Sequence, residues 1–432
     1  MKLSIKNIGK ISDAKIMFEG ITVIGGDNST GKTTIGKTLF AMYKSFDDID
    51  NTIEKELKKY IEKIIKNCFP DIKIDFRVKS ILIWNPVIDI DKLLHTYASD
   101  EEYIKGYIRE CISHSTIQYK IPEERLKKCS QMIRDAVGGD KYRYVEFNAQ
   151  EIFEEIFDSQ IMNVNMKSTD ISEVNFTDGK HKISIRISSG GLSLYFEGGI
   201  WNNRNVVFID NPFVVDMMDG KKSGNNAMES DLLMKLRKAD KRRGSNLIER
   251  SINNDKLKNV SEIISKATGG DIVVQNGKHV LRDSNLSKPI NLKNLSAGLK
   301  SFSILQMLLQ DGRIKDGDIL VLDEPEIHLH PQWQMLYAEA IVLLQRDFGI
   351  NVLITSHSAA FIRAIESYCG IYDRMDVLNI YATRKDETTQ TGYTFENLSY
   401  SQYGVVDLYG DLTNVFDELD EKLSEKYGDM YD

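Results

Sequence analysis

The stretch GDNSTGKT, residues 26–33, follows the apolar run ITVIG and leads into a segment that continues from Lys32 through TTIGKTLFAMYKSF. It fits the pattern GxxxxGK[ST], in which glycines let the backbone curl so that N–H groups point at phosphate oxygens. The lysine of this pattern reaches the β- and γ-phosphates, and the next hydroxyl ligates Mg²⁺. The sequence therefore predicts a strand, a P-loop and a helix. The predicted nucleotide-binding residues are Gly26, Asn28, Ser29, Thr30, Gly31, Lys32, Thr33 and Thr34.

A second apolar run, ILVLDE at residues 319–324, ends in two carboxylates. Ligands of open α/β folds bind at the carboxyl ends of the strands. Asp323 is predicted to share the Mg²⁺ ion with Thr33, and Glu324 to polarise an attacking water. The alternative is a strand that ends in ordinary surface acids, which would leave the P-loop without its metal partner.

Histidines follow the acidic pair at two places. The strand-like run NVLITSHSAAF, residues 351–361, ends near His357, and we predict that this imidazole lies close to the γ-phosphate. The alternative is a histidine with a structural role. In EPEIHLHP, His328 and His330 are two residues apart and have no clear third metal ligand, which favours loop packing over a metal site.

The stretch NLKNLSAGLKSFSIL, residues 291–305, places Ser296 and Gly298 at the start of an amphipathic helix. A helix start carries unpaired N–H groups and partial positive charge, so it can bind an anion. Ser296 is therefore a predicted phosphate contact. It is also a good N-cap, and the two roles use the same end of the helix.

Composition limits the class of protein. The chain has 432 residues, a formal net charge of −8 and four scattered cysteines, which favours a reduced, cytoplasmic protein without structural zinc. No apolar run is long enough for a membrane span. The negative charge does not support constitutive nucleic-acid binding, although the run KLRKADKRR at residues 235–243 is a candidate basic patch or a solvated surface.

The chain changes character along its length. We predict the first part of an α/β head over 1–48, a helical insertion over 49–160 and the remaining head strands with a helical lobe over 161–285. The second part of the head covers 286–385, and a C-terminal extension covers 386–432. The polar stretch GKKSGNNAMESD, residues 220–231, is predicted to be a loop.

The order P-loop, LSAG, DEPE and TSHS resembles that of the ATP-binding-cassette superfamily. It is most similar to the SMC-like branch that includes RecF, the OLD-family ATPases and the ATPases of phage-defence operons. The resemblance covers about the first 45 residues and residues 290–360. It implies a P-loop head with a mixed sheet flanked by helices, Mg²⁺ and ATP as cofactors, and heads that face each other as a dimer or a higher oligomer. Ser296 and Gly298 would then close over the ATP of the opposite head.

The departures from the family pattern are also informative. The family glutamine that links Mg²⁺ to the helical lobe cannot be placed, and Gln150 and Gln160 are weak candidates. No carboxylate-rich Toprim nuclease segment follows His357. Any nuclease would therefore be a separately encoded effector protein.

The resulting hypothesis is an ATP hydrolase that regulates an effector in antiphage defence. The alternatives are a DNA-repair ATPase similar to RecF and a nucleotide-gated sensor or scaffold with negligible turnover. At the C-terminus, an apolar stripe on an acidic helix is predicted to dock a partner or to pack on the core. The stripe consists of Leu412, Val415, Phe416, Leu419 and Leu423.

Overall fold

The computed structural model describes the chain except for a set of short segments. These are residues 77–84, 98–99, 116–118, 164–169, 199–203, 221–222, 238–246, 276–277, 284, 390–391, 400–401 and 428–432, together with the side chains of 247–257, 402–403, 414–418 and 425–427. Most of the predicted basic run, at 238–243, lies outside the described residues.

The strands of the described chain are numbered in order. They are β1 Lys2–Ile8, β2 Ile11–Met17, β3 Ile21–Gly25, β4 Ser172–Asp178, β5 His181–Ser188, β6 Gly191–Glu197, β7 Val206–Ile209, β8 Gly270–Gln275, β9 Lys278–Asp283, β10 Ile290–Asn291, β11 Ile319–Asp323, β12 Asn351–Ser356, β13 Leu378–Lys385 and β14 Tyr393–Asn397.

The helices are numbered in the same way. They are α1 Lys32–Phe46, α2 Ile49–Cys68, α3 Ile90–Lys92, α4 Glu101–Ser113, α5 Glu123–Val137, α6 Lys141–Ile156, α7 Ala227–Arg237, α8 Leu247–Thr268, α9 Ala297–Gln310, α10 Pro331–Phe348, α11 Ala359–Ile371 and α12 Gln402–Tyr427. A π-helical turn, Leu93–Tyr97, follows α3. Short 3₁₀ turns cover Pro212–Met217, Leu292–Asn294 and Met375–Val377.

One sheet organises the part of the chain that lies outside the predicted helical insertion. Its strand order is β6-β5-β4-β1-β2-β14-β13-β3-β12-β11-β7. Strands β13, β3, β12, β11 and β7 run parallel, whereas β1, β2, β4, β5 and β6 form an antiparallel wing. Strand β14 joins the two parts, parallel to β2 and antiparallel to β13. The predicted mixed sheet is confirmed.

Helices cover both faces of the parallel strands, which explains why β3, β7, β11 and β12 are buried along nearly their whole length. On one face, Phe40 of α1 meets the ring of Phe208 edge-on, with ring centroids 5.9 Å apart. On the other face, Leu320 and Leu322 of β11 belong to one buried cluster with side chains of α9, α10 and α11. The helices therefore fix the ends of the strands, where the candidate site lies.

The contacts divide the chain into two compact units. One consists of Met1–Ser45 with Ala149–Asp432, and the other of Phe46–Asn148. The second unit has its own buried cluster from α2, α3, α4 and α5, which includes Ile61, Ile108 and Leu126. The predicted insertion, 49–160, overlaps this unit, and α6 continues beyond the unit to Ile156.

The loop prediction for 220–231 is wrong from Ala227 onward, because Asn226 caps α7 by accepting a hydrogen bond from Glu229 N at 2.8 Å. In the C-terminal stripe, Leu412 packs against the core, whereas Leu419 and Leu423 are exposed; the side chains of Val415 and Phe416 lie outside the described set.

Within the described residues, no helix combines the length and apolarity needed to cross a membrane.

Candidate functional site

Three neighbouring parallel strands bring the predicted motifs to one edge of the sheet. Ser356 of β12 pairs with Gly25 of β3, and Thr355 of β12 pairs with Asp323 of β11. The P-loop follows β3, the acidic pair ends β11, and His357 follows β12. Residues that lie hundreds of positions apart in sequence therefore meet because their strands end at the same level.

The P-loop has the unusual backbone that its sequence predicts. Gly26 has φ 151, and a Cβ there would come within 1.9 Å of the Thr383 hydroxyl, so a side chain is excluded. Ser29 has φ 64, a left-handed conformation that is uncommon for a residue with a side chain. The loop leads directly into α1, which begins at Lys32.

Lys32 lies inside the loop and is only 3% exposed. Its ammonium donates to the carbonyl oxygens of Gly26 at 2.8 Å and Asp27 at 2.7 Å, and it lies 3.8 Å from Glu324 Oε1. Burial lowers the pKa of this ammonium, while the nearby carboxylates of Glu324 and Asp323 act in the opposite direction. Lys32 is thus a buried cation held beside the acidic pair.

Asp323 and Thr33 form the oxygen-rich part of the site. The Thr33 hydroxyl lies 3.0 and 2.9 Å from the two carboxylate oxygens of Asp323, and the Thr355 hydroxyl donates to the same carboxylate at 2.5 Å. Burial raises the pKa of Asp323, and these hydrogen bonds oppose the increase. A hydroxyl and a carboxylate are hard oxygen donors of the kind that Mg²⁺ prefers. The residues therefore fit the predicted metal.

Glu324 has a strained backbone at the end of β11. Its φ is 47, and its N–H donates to the Thr355 carbonyl oxygen at 3.1 Å. Its carboxylate is 24% exposed, 3.8 Å from Lys32 and 3.6 Å from His357 Nδ1. Left-handed non-glycine residues cluster at functional sites, where the surrounding structure holds them. The conformation turns this carboxylate toward the P-loop lysine.

A cavity of about 470 Å³ lies against the P-loop. It is lined by Gly9, Lys10, Ser29, Gly31, Lys32, Thr33, Thr34, Gln160, Met162, Asn163 and Glu324. Gln160, one of the two weak candidates for the family glutamine, is among these residues. Two consecutive left-handed residues, Asp158 and Ser159, precede it, and Gly9 N donates to Ile161 O at 3.0 Å. No local sequence pattern indicates this long-range arrangement.

The LSAG segment begins a helix as predicted. Ser296 is the N-cap of α9, and its hydroxyl accepts from Leu299 N at 3.4 Å. Gly298 is buried, and a Cβ there would lie 2.9 Å from the Trp333 ring and 3.1 Å from the His328 carbonyl oxygen. Neither residue is among the described residues that line the cavity. Close packing is one structural reason for glycine at 298.

The histidines of EPEIHLHP have packing roles. The His328 ring meets Phe213 edge-on, with centroids 5.5 Å apart, and His330 caps α10 by accepting from Gln332 N at 3.4 Å. These contacts agree with the loop-packing interpretation.

Glu326 is the main residue that sequence reasoning missed. It is 3% exposed, and its Oε1 accepts hydrogen bonds from the Ser356 hydroxyl at 2.5 Å and from His357 N at 3.1 Å. Burial raises the pKa of this carboxyl, whereas the Ser356 hydrogen bond lowers it. The only sequence signal is an additional acid in DEPE, whose partners are about 30 residues away.

Comparison with known proteins places these motifs within one family region. The family described as AAA ATPase domain matches residues 1–362. Similar solved structures include an SMC head bound to the C-winged helix domain of ScpA, with 12% identity, 93% of this chain and 98% of that chain covered, and a TM-score of 0.46. The P-loop, LSAG segment, acidic pair and His357 all fall within the matched residues.

Two further SMC heads are similar. The SMC head domain from Thermotoga maritima has 11% identity, with 92% of this chain and 97% of that chain covered and a TM-score of 0.40. An SMC head with an extended coiled coil, bound to the C-terminal domain of ScpA derived from Pyrococcus furiosus, has 11% identity, 97% and 98% coverage and a TM-score of 0.41.

Proposed function

Because this chain belongs to the AAA ATPase domain family, we propose that it binds ATP with Mg²⁺ and hydrolyses the β–γ phosphoanhydride. The observation that carries the proposal is the contact between the Thr33 hydroxyl and the Asp323 carboxylate, at 2.9–3.0 Å, beside Lys32 and Glu324. A P-loop hydroxyl, a strand-end carboxylate and a buried lysine are the parts that phosphoryl transfer needs.

In this proposal the predicted nucleotide-binding residues of the P-loop bind the phosphates, and Lys32 supplies the positive charge nearest to the β- and γ-phosphates. Thr33 and Asp323 would hold Mg²⁺. When bound, this ion neutralises charge on the transferred phosphoryl group. Gln160 lines the same cavity, which supports it as the candidate for the family glutamine.

In the proposed reaction Glu324 positions the attacking water, and His357 responds to the γ-phosphate. The support is geometric, since Glu324 lines the cavity and its carboxylate lies 3.6 Å from His357 Nδ1. A carboxylate held beside a P-loop can orient water for in-line attack.

We further propose that two heads associate on ATP, with Ser296 of one head facing the nucleotide of the other. The position of Ser296 at the start of a 14-residue helix supports this role, because a helix start binds anions. Gly298, two residues further on, would allow the backbone of α9 to approach the nucleotide of the opposite head closely. Closure on ATP and opening after hydrolysis would transmit the nucleotide state to a separately encoded effector in the cytoplasm.

The biological role proposed for that effector is antiphage defence, which rests on the resemblance of DEPEIHLHP to defence ATPases. A RecF-like repair role and a sensor with negligible turnover remain the alternatives. The test is phosphate release by the purified full-length chain with Mg²⁺-ATP. Steady release that stops on removal of Mg²⁺ supports hydrolysis; tight ATP binding without release supports the sensor.

A further inference from the structure

The buried carboxylate of Glu326 connects two elements of the candidate site. Glu326 follows Glu324 by two residues, and its Oε1 accepts hydrogen bonds from the Ser356 hydroxyl and from the backbone N–H of His357. Ser356 is fully buried, and its hydroxyl oxygen in turn accepts from Ser358 N at 3.0 Å, at the start of α11. One carboxylate oxygen therefore fixes the end of β12 relative to the loop after β11.

The His357 ring lies between two carboxylates. Its Nδ1 is 3.6 Å from Glu324 Oε1 and 3.7 Å from Glu326 Oε1, and these distances exceed a good hydrogen bond. Within the described part of the chain, His357 Nδ1 and Glu326 Oε2 are buried atoms with no hydrogen-bond partner. Buried polar atoms of this kind call for an explanation. A small rotation of the ring would bring Nδ1 into hydrogen-bond range of a carboxylate.

The two carboxylates differ in how firmly they are held. Glu326 is 3% exposed and has two donors on one oxygen, whereas the Glu324 side chain is 24% exposed and lines the cavity. A fixed, buried acceptor suits the orientation of an imidazole, and a partly exposed one suits contact with water.

We propose that Glu326 is a positioning residue of the ATPase site, which anchors the end of β12 and orients the His357 imidazole so that Glu324 remains available to water. This inference rests on the proposed ATP hydrolysis. Glu326 acts through Ser356 and His357 and does not itself contact the substrate.

The test compares Glu326→Ala with Glu326→Gln. Truncation removes the acceptor and is expected to lower kcat about 10²-fold, with KM for ATP changed less than about threefold, because misplacement of a catalytic group affects the chemical step. The glutamine amide oxygen can still accept from Ser356 and His357 N, so this variant should recover most of kcat. Glu339→Ala is the matched control: Glu339 Oε1 accepts from Tyr372 OH at 2.5 Å and also joins two helical segments.

A second readout does not depend on turnover. Hydrogen exchange of the peptide that contains residues 351–361, in the full chain without nucleotide, should accelerate in Glu326→Ala and return toward the wild-type rate in Glu326→Gln. If Glu326→Ala does not fold, Ser356→Ala removes one of the two donors and should give the same effects, at smaller size.

The outcomes separate the inference from the function on which it rests. Unchanged kcat or unchanged exchange in Glu326→Ala overturns the inference, as does an equal loss of kcat in Glu339→Ala. A wild-type chain that binds ATP but releases no phosphate overturns the proposed hydrolysis. If the wild type releases no phosphate but hydrogen exchange is still altered in Glu326→Ala, Glu326 anchors the end of β12 and has no role in hydrolysis.

Discussion

Lys32 and Glu324 lie 3.8 Å apart, and substitutions should separate their proposed tasks. Lys32→Ala removes a charge-assisted phosphate contact, about twice as strong as a neutral hydrogen bond, and is expected to abolish ATP binding. Glu324→Gln keeps the shape of the side chain but removes the base, so it should bind ATP like the wild type and lose turnover. Calorimetric binding and phosphate release measure the two effects. Hydrolysis at a near wild-type rate by Glu324→Gln would contradict the assignment of Glu324 as the base that positions the attacking water.

Asp210 gives a prediction for stability and pH. Asp210 directly follows β7, whose last residue, Ile209, pairs with Leu322 of β11. Asp210 and Asp323 therefore lie side by side at the ends of two neighbouring strands. Burial raises the pKa of Asp210 to about 6, and the charges of Asp323 and Glu229 add to this effect. The protonated form is thus favoured by folding, so its stabilising contribution is present below about pH 4 and is lost as the pH rises through about 6.

Asp210→Asn should remove this dependence. The free energy of unfolding of the variant minus that of the wild type is expected to increase by about 2 kcal/mol between about pH 4 and pH 7, because the asparagine has no charge to bury. Urea unfolding at several pH values, without nucleotide, measures the difference. A constant difference across this range would show that Asp210 ionises as an ordinary exposed aspartate.

Single residues differ in how far sequence could predict them. Some site residues belong to sequence motifs whose residue types and spacing predict a chemical role, namely Lys32, Thr33 and Asp323. The structure brings these residues together. Glu326 and Gln160 acquire their positions from partners that are distant in sequence. Burial and orientation of this kind result from tertiary packing, which no local pattern records.

The same limit holds for the secondary-structure elements. Strands β3, β11 and β12 could be predicted because each is a buried apolar run followed by a turn motif. The junction through β14 could not, because Tyr393 and Thr394 pair with Ile11 and Asp13 from the other end of the chain. Parallel pairing at such separation leaves no local periodicity.

Helix α9 carries the prediction about association of two heads. Ser296→Arg should leave ATP binding to a single head nearly unchanged and abolish ATP-dependent association, because the added side chain would collide with the facing nucleotide. The substitution also removes the N-cap contact with Leu299, at a cost of about 1 kcal/mol. Ser296→Asn is the matched control, since asparagine caps helices well and should associate more strongly than the arginine variant. Sedimentation with and without ATP measures the association of both variants. Unchanged ATP-dependent association in Ser296→Arg would leave Ser296 with the role of an N-cap alone.

At the scale of the molecule, we propose that Phe46–Asn148 is an independently folding insertion. Its α2–α5 cluster contains fully buried side chains such as Ile61 and Ile108, so this unit has a core of its own. A fragment of residues 46–148 is expected to be helical by circular dichroism and to melt cooperatively. Ile108→Asp buries a charge and should abolish the transition. A wild-type fragment without a cooperative transition would contradict the proposal.

The C-terminal helix α12 joins the core at one end and exposes apolar side chains at the other. Val405 and Leu408 are buried, and Leu412 packs against the same cluster, whereas Leu419 and Leu423 are 49% and 44% exposed. We propose that the exposed end docks the effector. Residues 417–425 carry five acidic side chains and one lysine, so a basic partner would be steered toward this end.

Truncation after Thr413 tests this division of α12, because it keeps Leu412 and removes the exposed leucines. The shortened chain is expected to keep its melting temperature and kcat and to lose co-purification with the proposed effector protein. Leu419→Asp with Leu423→Asp should have the same effect in the full-length chain, whereas Leu412→Ala should lower stability by about 1–2 kcal/mol, since it removes packing from a partly buried position. Continued co-purification after truncation would place docking elsewhere. Aggregation of the truncated chain would instead show that the stripe beyond Leu412 belongs to the core, because an exposed stripe contributes little to folding.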